Sequence, residues 1–177
     1  CRAPAPSAIA SWPGRAPWDD PAMRVRTRRQ IALRRFGPPD VMEWIEAPAP
    51  ERGPGEVLVA VEAIGVNFAD TMVRRGEYRR DQPLSFTPGF EVAGRVLEAD
   101  DLEAGTAVVV FTEHGGGYAD TVVAGRDRVF TLAAGVAPVD GAALFTQGVT
   151  AWYAVDRYAR LGAGDSVLVP AAAGGLG

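Results

Sequence analysis

Glycine and proline interrupt residues 24 to 133 so often that only short extended segments fit between them, and this punctuation selects a β fold. Glu56 to Gly65 sets Val57, Val59 and Val61 on one face against Leu58, Ala60 and Glu62 on the other, the period of two of a half-buried strand. Ile31 to Leu33 and Val41 to Ile45 flank a Gly37-Pro38-Pro39 break and predict a hairpin. Glu91 to Glu98 and Ala107 to Thr112 are further strands. Tyr118 to Ala124 is expected to return as the partner of Ala107 to Thr112 across a Gly115-Gly116-Gly117 turn, and Val129 to Leu132 closes the series. Together they predict a compact, barrel-like β domain over residues 23 to 133.

Two departures from this pattern matter. Asn67 to Gly76 predicts a short helix: Asn67 caps it, Asp70 lies in its acidic first turn and Gly76 stops it. After residue 133 the spacing becomes helical, over Pro138 to Leu144 and again over Gly148 to Leu161, so residues 134 to 165 are expected to be connecting helices. The β-branched and aliphatic run Ser166-Val167-Leu168-Val169 then predicts a buried strand. Ala171-Ala172-Ala173-Gly174-Gly175-Leu176-Gly177 predicts a tight turn opening towards a helix. Strand followed by small-residue turn is how a dinucleotide-binding unit begins, because small residues let the backbone approach a pyrophosphate. The spacing here is Ala171-x-x-Gly174-x-x-Gly177, with alanine at the first glycine of the usual pattern. Residues 166 to 177 would thus start a nucleotide-binding domain of which one strand and one turn are present.

Composition narrows the function. At 177 residues and 47% hydrophobic content the chain can bury a proper core. Its net charge of −4, with no basic stripe, argues against nucleic acid as a partner. Cys1 and His114 are the sole cysteine and histidine, so a Cys/His zinc site cannot be assembled from these residues. No apolar run reaches the roughly 20 residues that span a bilayer. Residues 1 to 22 are rich in Ala, Pro, Arg and Trp and lack the continuous apolar core of a secretory signal. They are expected to be a disordered extension, with a leader as the alternative, and the protein is expected to be cytoplasmic.

Read in order, Glu56-Val57-Leu58-Val59, Gly65-Val66-Asn67-Phe68-Ala69-Asp70, Pro88-Gly89-Phe90-Glu91-Val92-Ala93-Gly94 and Gly117-Tyr118-Ala119 resemble the GroES-like catalytic domain of the medium-chain dehydrogenase/reductase superfamily. Gln147-Gly148-Val149-Thr150-Ala151 and the 164 to 177 segment resemble its junction and first nucleotide-binding turn. The resemblance runs unbroken over residues 25 to 177 and is nearest the zinc-free quinone oxidoreductases. Zinc alcohol dehydrogenases carry a cysteine and a histidine near Asn67 and Phe90, and this chain has neither.

The resemblance implies an NADPH-dependent reductase of quinones or α,β-unsaturated carbonyls, working as a homodimer. It implies Asn67 and Thr150 beside the nicotinamide, Ala171, Gly174, Gly175 and Gly177 at the phosphates, and Phe68, Met72 and Phe90 around the substrate. Asn67 and Tyr78 are the catalytic candidates. Each has a plainer role open to it: Asn67 as a helix cap, Tyr78 as a surface tyrosine, Thr150 as a helix-packing threonine, Phe90 as pocket wall. Met72 stands where many quinone oxidoreductases have tyrosine, and its thioether cannot donate a proton. His114, beside three glycines, is expected to be an exposed turn residue, and Gly115 to Gly117 a β-turn rather than a phosphate cradle. Alternatives of different kinds stay open: an enoyl reductase acting on acyl-thioesters, a non-catalytic relative such as the vesicle amine transport proteins and zeta-crystallins, or a fragment without activity of its own.

Overall fold

A computed structural model describes residues 26–78 and 84–177; the expected extension at residues 1 to 22 lies outside them. β1 (Thr27–Leu33) and β2 (Met42–Pro48) form the antiparallel hairpin, with Leu33 opposite Met42 at the turn end. A five-stranded antiparallel sheet follows, built from β3 (Glu56–Gly65), β4 (Glu91–Glu98), β5 (Ala107–Phe111), β6 (Thr121–Gly125) and β7 (Val129–Thr131), in the order β6-β3-β4-β5-β7. Bridges from Gln30 to Ala119 and from Leu33 to Phe86 fasten the hairpin to the rest of the domain.

The core follows from valine alternation. Val57 and Val59 of β3, Val92 and Val96 of β4, Val108 and Val110 of β5, Val122 of β6 and Val129 of β7 form one buried cluster. The intervening residues Ala93 and Val109 point to the opposite face and meet Ala142 and Phe145. Those last two belong to α2 (Pro138–Trp152). The sheet is therefore covered by apolar residues on both sides at β4 and β5, which explains why β4 reads as a nearly continuous small and apolar run.

Sequence and structure part company in four places. β6 pairs with β3, Val57 opposite Ala124, at the far edge from β5, whose second partner is β7. The triglycine is no hairpin turn: the Gly116 N–H donates to the Thr87 carbonyl at 2.7 Å and the Tyr118 N–H to the Pro88 carbonyl at 2.8 Å. The expected β-turn does form, closed by the Gly115 N–H on the Thr112 carbonyl at 2.9 Å, but the segment then crosses to the Thr87–Gly89 backbone instead of pairing back on β5. The two expected helices are one, since α2 runs through Gly148 and continues as a wider π-helical turn over Tyr153–Tyr158. A single helix-interior glycine costs only about 1 kcal/mol, too little to stop a helix seated on a sheet. Lastly, residues 166–169 pair with no strand, and Leu168 is 89% exposed. A strand apolar on both faces needs neighbours on both sides, and the described residues provide none.

Helix α1 (Phe68–Arg75) forms as the sequence indicates. The Asp70 carboxylate accepts the Asn67 backbone N–H at 2.8 Å, satisfying a donor at the helix start. Gly76 takes a left-handed φ of 74°, and the next N–H, of Glu77, closes on the Met72 carbonyl at 2.8 Å. Arg74 is buried, and its guanidinium donates to the Gly37 carbonyl, fixing α1 to the β1–β2 turn. No helix among the described residues is long and apolar enough to cross a membrane.

Candidate active site

Glu91, the first residue of β4, is 0% exposed. A carboxylate buried without partners is prohibitively costly, and among the described residues no arginine pairs with it. Neutral donors satisfy it instead. Its Oε1 accepts from the Asn67 amide nitrogen at 2.9 Å, while Oε2 accepts the Thr146 backbone N–H at 2.8 Å and the Thr146 hydroxyl at 2.5 Å. Asn67 sits at the start of α1 and Thr146 within α2, so one carboxylate joins both helices to the sheet. The Asn67 side-chain oxygen in turn accepts from the Gln147 amide nitrogen at 2.8 Å. The polar wall of the site is thus a relay from Gln147 through Asn67 to Glu91.

Asp70 lies behind this relay, 4% exposed. Burial raises its carboxyl above the ordinary range, and the charge of Glu91 pushes in the same direction. The Asn67 N–H, the Tyr118 hydroxyl and the Gly89 N–H favour the charged form and limit the rise. Tyr118 is itself raised, by burial first and then by Asp70. It stays a neutral hydroxyl donor at any physiological pH.

In front of the relay lies a cleft of about 540 Å³ whose walls are mainly apolar and aromatic. Of the residues the sequence nominates, Asn67, Phe68, Tyr78, Phe90, Thr150 and Gly175 line it together. The Tyr78 and Phe90 rings meet edge to face with centroids 5.9 Å apart. The Thr150 hydroxyl donates to the Thr146 carbonyl at 2.7 Å, one turn back in its own helix. Met72, Ala171, Gly174 and Gly177 are not among the lining residues. Met72 is partly buried on α1. His114 is largely exposed and lies 3.9 Å from the Glu113 carboxylate. Glu113, Phe111, Thr146 and Leu176 also line the cleft and were missed by sequence reasoning. Thr146 and Glu91 had a faint signal: an acidic residue at an apolar strand's start, and a threonine beside Gln147.

At the end of the chain Ala171 adopts a left-handed φ of 53°, and its carbonyl accepts the Gly174 N–H at 2.7 Å. The first position of the small-residue pattern therefore has the conformation that glycine takes most easily. Beside the turn, in the cleft wall, the Gln147 side-chain oxygen is buried with no hydrogen-bond partner among the described residues. An apolar cleft of this size, bounded by a small-residue turn, fits the nicotinamide end of a dinucleotide. Among the described residues no cluster of three His, Cys, Asp or Glu side chains is placed to hold a metal.

The profile of the alcohol dehydrogenase GroES-like domain matches residues 53–171. The chain is 36% identical to a mouse quinone oxidoreductase over 156 residues, covering 84% of this chain and 46% of the relative. It superposes on the quinone oxidoreductase of Thermus thermophilus, solved also as a complex with NADPH, with a TM-score of 0.73 and 36% identity, over 84% of this chain and 46% of that one. On the human synaptic vesicle membrane protein VAT-1 homolog-like protein the TM-score is 0.80 at 31% identity, over 85% and 50%. The chain spans about half the length of the curated relatives it matches. By sequence and fold alike, it belongs to the alcohol dehydrogenase GroES-like domain family and to the quinone oxidoreductase-like branch of the medium-chain dehydrogenase/reductase superfamily.

Proposed function

We propose that the full-length protein is an NADPH-dependent reductase of quinones or α,β-unsaturated carbonyls, and that residues 166–177 open its nucleotide-binding domain. The observation that carries this reading is the juxtaposition of an aromatic cleft with a polar wall held by a buried carboxylate. When bound, the reduced nicotinamide supplies a hydride, a hydrogen nucleus with its electron pair, to an electrophilic carbon of the acceptor. Phe68, Phe90 and Phe111 line the cleft and give a planar acceptor flat, apolar surfaces to rest on. The negative charge left on the acceptor oxygen requires a hydrogen-bond donor. Tyr78 is the hydroxyl proposed for that task, and solvent reaching the open cleft completes the protonation. Asn67 contributes by position, since both ends of its amide are already held.

The kinship with VAT-1 homologs supports a second reading, in which the nucleotide binds and no acceptor is turned over. Titrating the full-length protein with NADPH, then following NADPH oxidation against a panel of quinones and enones, separates the two. Binding with turnover supports the reductase; binding alone supports the second reading; no binding overturns both.

A further inference from the structure

The walls of the cleft are mainly apolar and aromatic, yet they carry one full charge. Glu113 is the only carboxylate or cation among the described residues that line it. Its backbone is fixed on both sides. Before it, Thr112 donates its N–H to the Phe90 carbonyl at 2.7 Å and its hydroxyl to the Gly89 carbonyl at 2.8 Å. After it, the Gly115 N–H closes the turn on the Thr112 carbonyl at 2.9 Å. The counter-charge comes from Arg128, in the single 3-10 turn Arg126–Arg128 ahead of β7, whose guanidinium pairs with Glu113 Oε2. His114 Nε2 lies 3.9 Å from the same oxygen. The Glu113 and Arg128 side chains stay 39% and 37% exposed, and Arg128 is not among the lining residues. The ion pair is therefore a dipole with its negative end at the cleft, where a bound molecule can reach it.

We propose that Glu113 determines acceptor specificity: its carboxylate turns away acceptors that carry an anionic substituent and admits neutral ones, with Arg128 limiting how strong that exclusion is. The assignment rests on the acceptor reading above and adds to it which acceptors the cleft takes. Phe68, Phe90 and Phe111 offer a resting place to any flat ring. Discrimination by charge needs a repulsive element, and Glu113 supplies it.

The test is isothermal titration of the full-length protein with 2-methyl-1,4-naphthoquinone and with 1,4-naphthoquinone-2-sulfonate, which share a ring system and differ in charge. The unsubstituted protein should bind the neutral quinone tighter by about fivefold, the scale of a partly exposed charge interaction, and added salt should shrink the preference. Glu113→Gln should abolish it. Arg128→Gln leaves the carboxylate uncompensated and should widen it, with circular dichroism reporting that each variant is folded. Opposite shifts from two single substitutions are a signature that a loss of shape does not produce. Equal affinities in the unsubstituted protein, a preference that survives in Glu113→Gln, or one that narrows in folded Arg128→Gln overturns the assignment. Binding of neither quinone sinks the acceptor reading and this proposal together. The expected preferences without NADPH oxidation sink the reductase reading and support the assignment of Glu113.

Discussion

Gly65 stands directly opposite Glu91 in the β3–β4 ladder, and the Glu91 side chain occupies the space where a Cβ on residue 65 would lie. The backbone of β3 thus leaves room for the carboxylate that organises the site. Gly65→Ala should cost about 1–3 kcal/mol through overpacking. It should also displace Glu91 from Asn67 and Thr146. Urea denaturation measures the first effect, and weakened NADPH binding by the full-length protein the second. An unchanged midpoint would show that Glu91 has another place to go.

Asn67→Asp is expected to be worse than Asn67→Ala. The alanine removes the cap residue, costing about 1 kcal/mol, whereas aspartate caps a helix as well as asparagine does. The aspartate also places a second carboxylate against Glu91 Oε1, where an amide donor is now 2.9 Å away. Like charges disfavour ionisation of the pair, so the deficit of Asn67→Asp relative to Asn67→Ala should shrink as the pH is lowered. Urea midpoints of the two variants between acid and neutral pH check this.

Asp70 gives a pH dependence of definite sign. Its carboxyl is raised in the folded protein, chiefly by burial, so the folded state holds this proton more tightly than the unfolded chain. Stability then falls as pH rises from the ordinary carboxyl value of about 3.9 through the raised one. Asp70→Asn cannot ionise and retains an oxygen for the Asn67 N–H. Its stability relative to the unsubstituted protein should therefore improve as pH rises through that window. A difference independent of pH would mean that Asp70 is not perturbed.

Leu33 ends β1 fully buried, and its N–H and carbonyl pair with Phe86 and Ser85. Leu33→Ala should cost about 2–5 kcal/mol, the range for a buried leucine. Hydrogen exchange should accelerate first in the β1–β2 hairpin, which reaches the rest of the domain through few backbone bridges. Uniform acceleration across β3 to β5 would show that the hairpin and sheet unfold as one.

Much of the fold was legible because it is written in local chemistry. Val57, Val59 and Val61 announce β3, and Asn67, Asp70 and Gly76 mark the two ends of α1. What escaped was non-local. Nothing in Thr121–Gly125 says that it will pair with β3 instead of β5, because alternation fixes a strand's faces and leaves its neighbour open. The same holds at the site. Asn67, Tyr78, Phe90 and Thr150 could be nominated, and they do share a cleft. Glu91 looked like one more strand residue, since its importance arises only when α1 and α2 arrive on either side of it. The strand expected at 166–169 has the right composition, but a sheet position depends on neighbours that composition does not describe.

The attachment of Thr146 to Glu91 has a mechanical consequence. Two of the three bonds on this carboxylate come from a single residue of α2 and the third from the start of α1, so shifting α2 by the width of one bond would strip Glu91 of most of its partners at once. Such a joint resists gradual opening: it is either latched or broken. The spacing between the two helices, and with it the width of the cleft, is gauged by this one carboxylate together with the direct Gln147–Asn67 bond beside it.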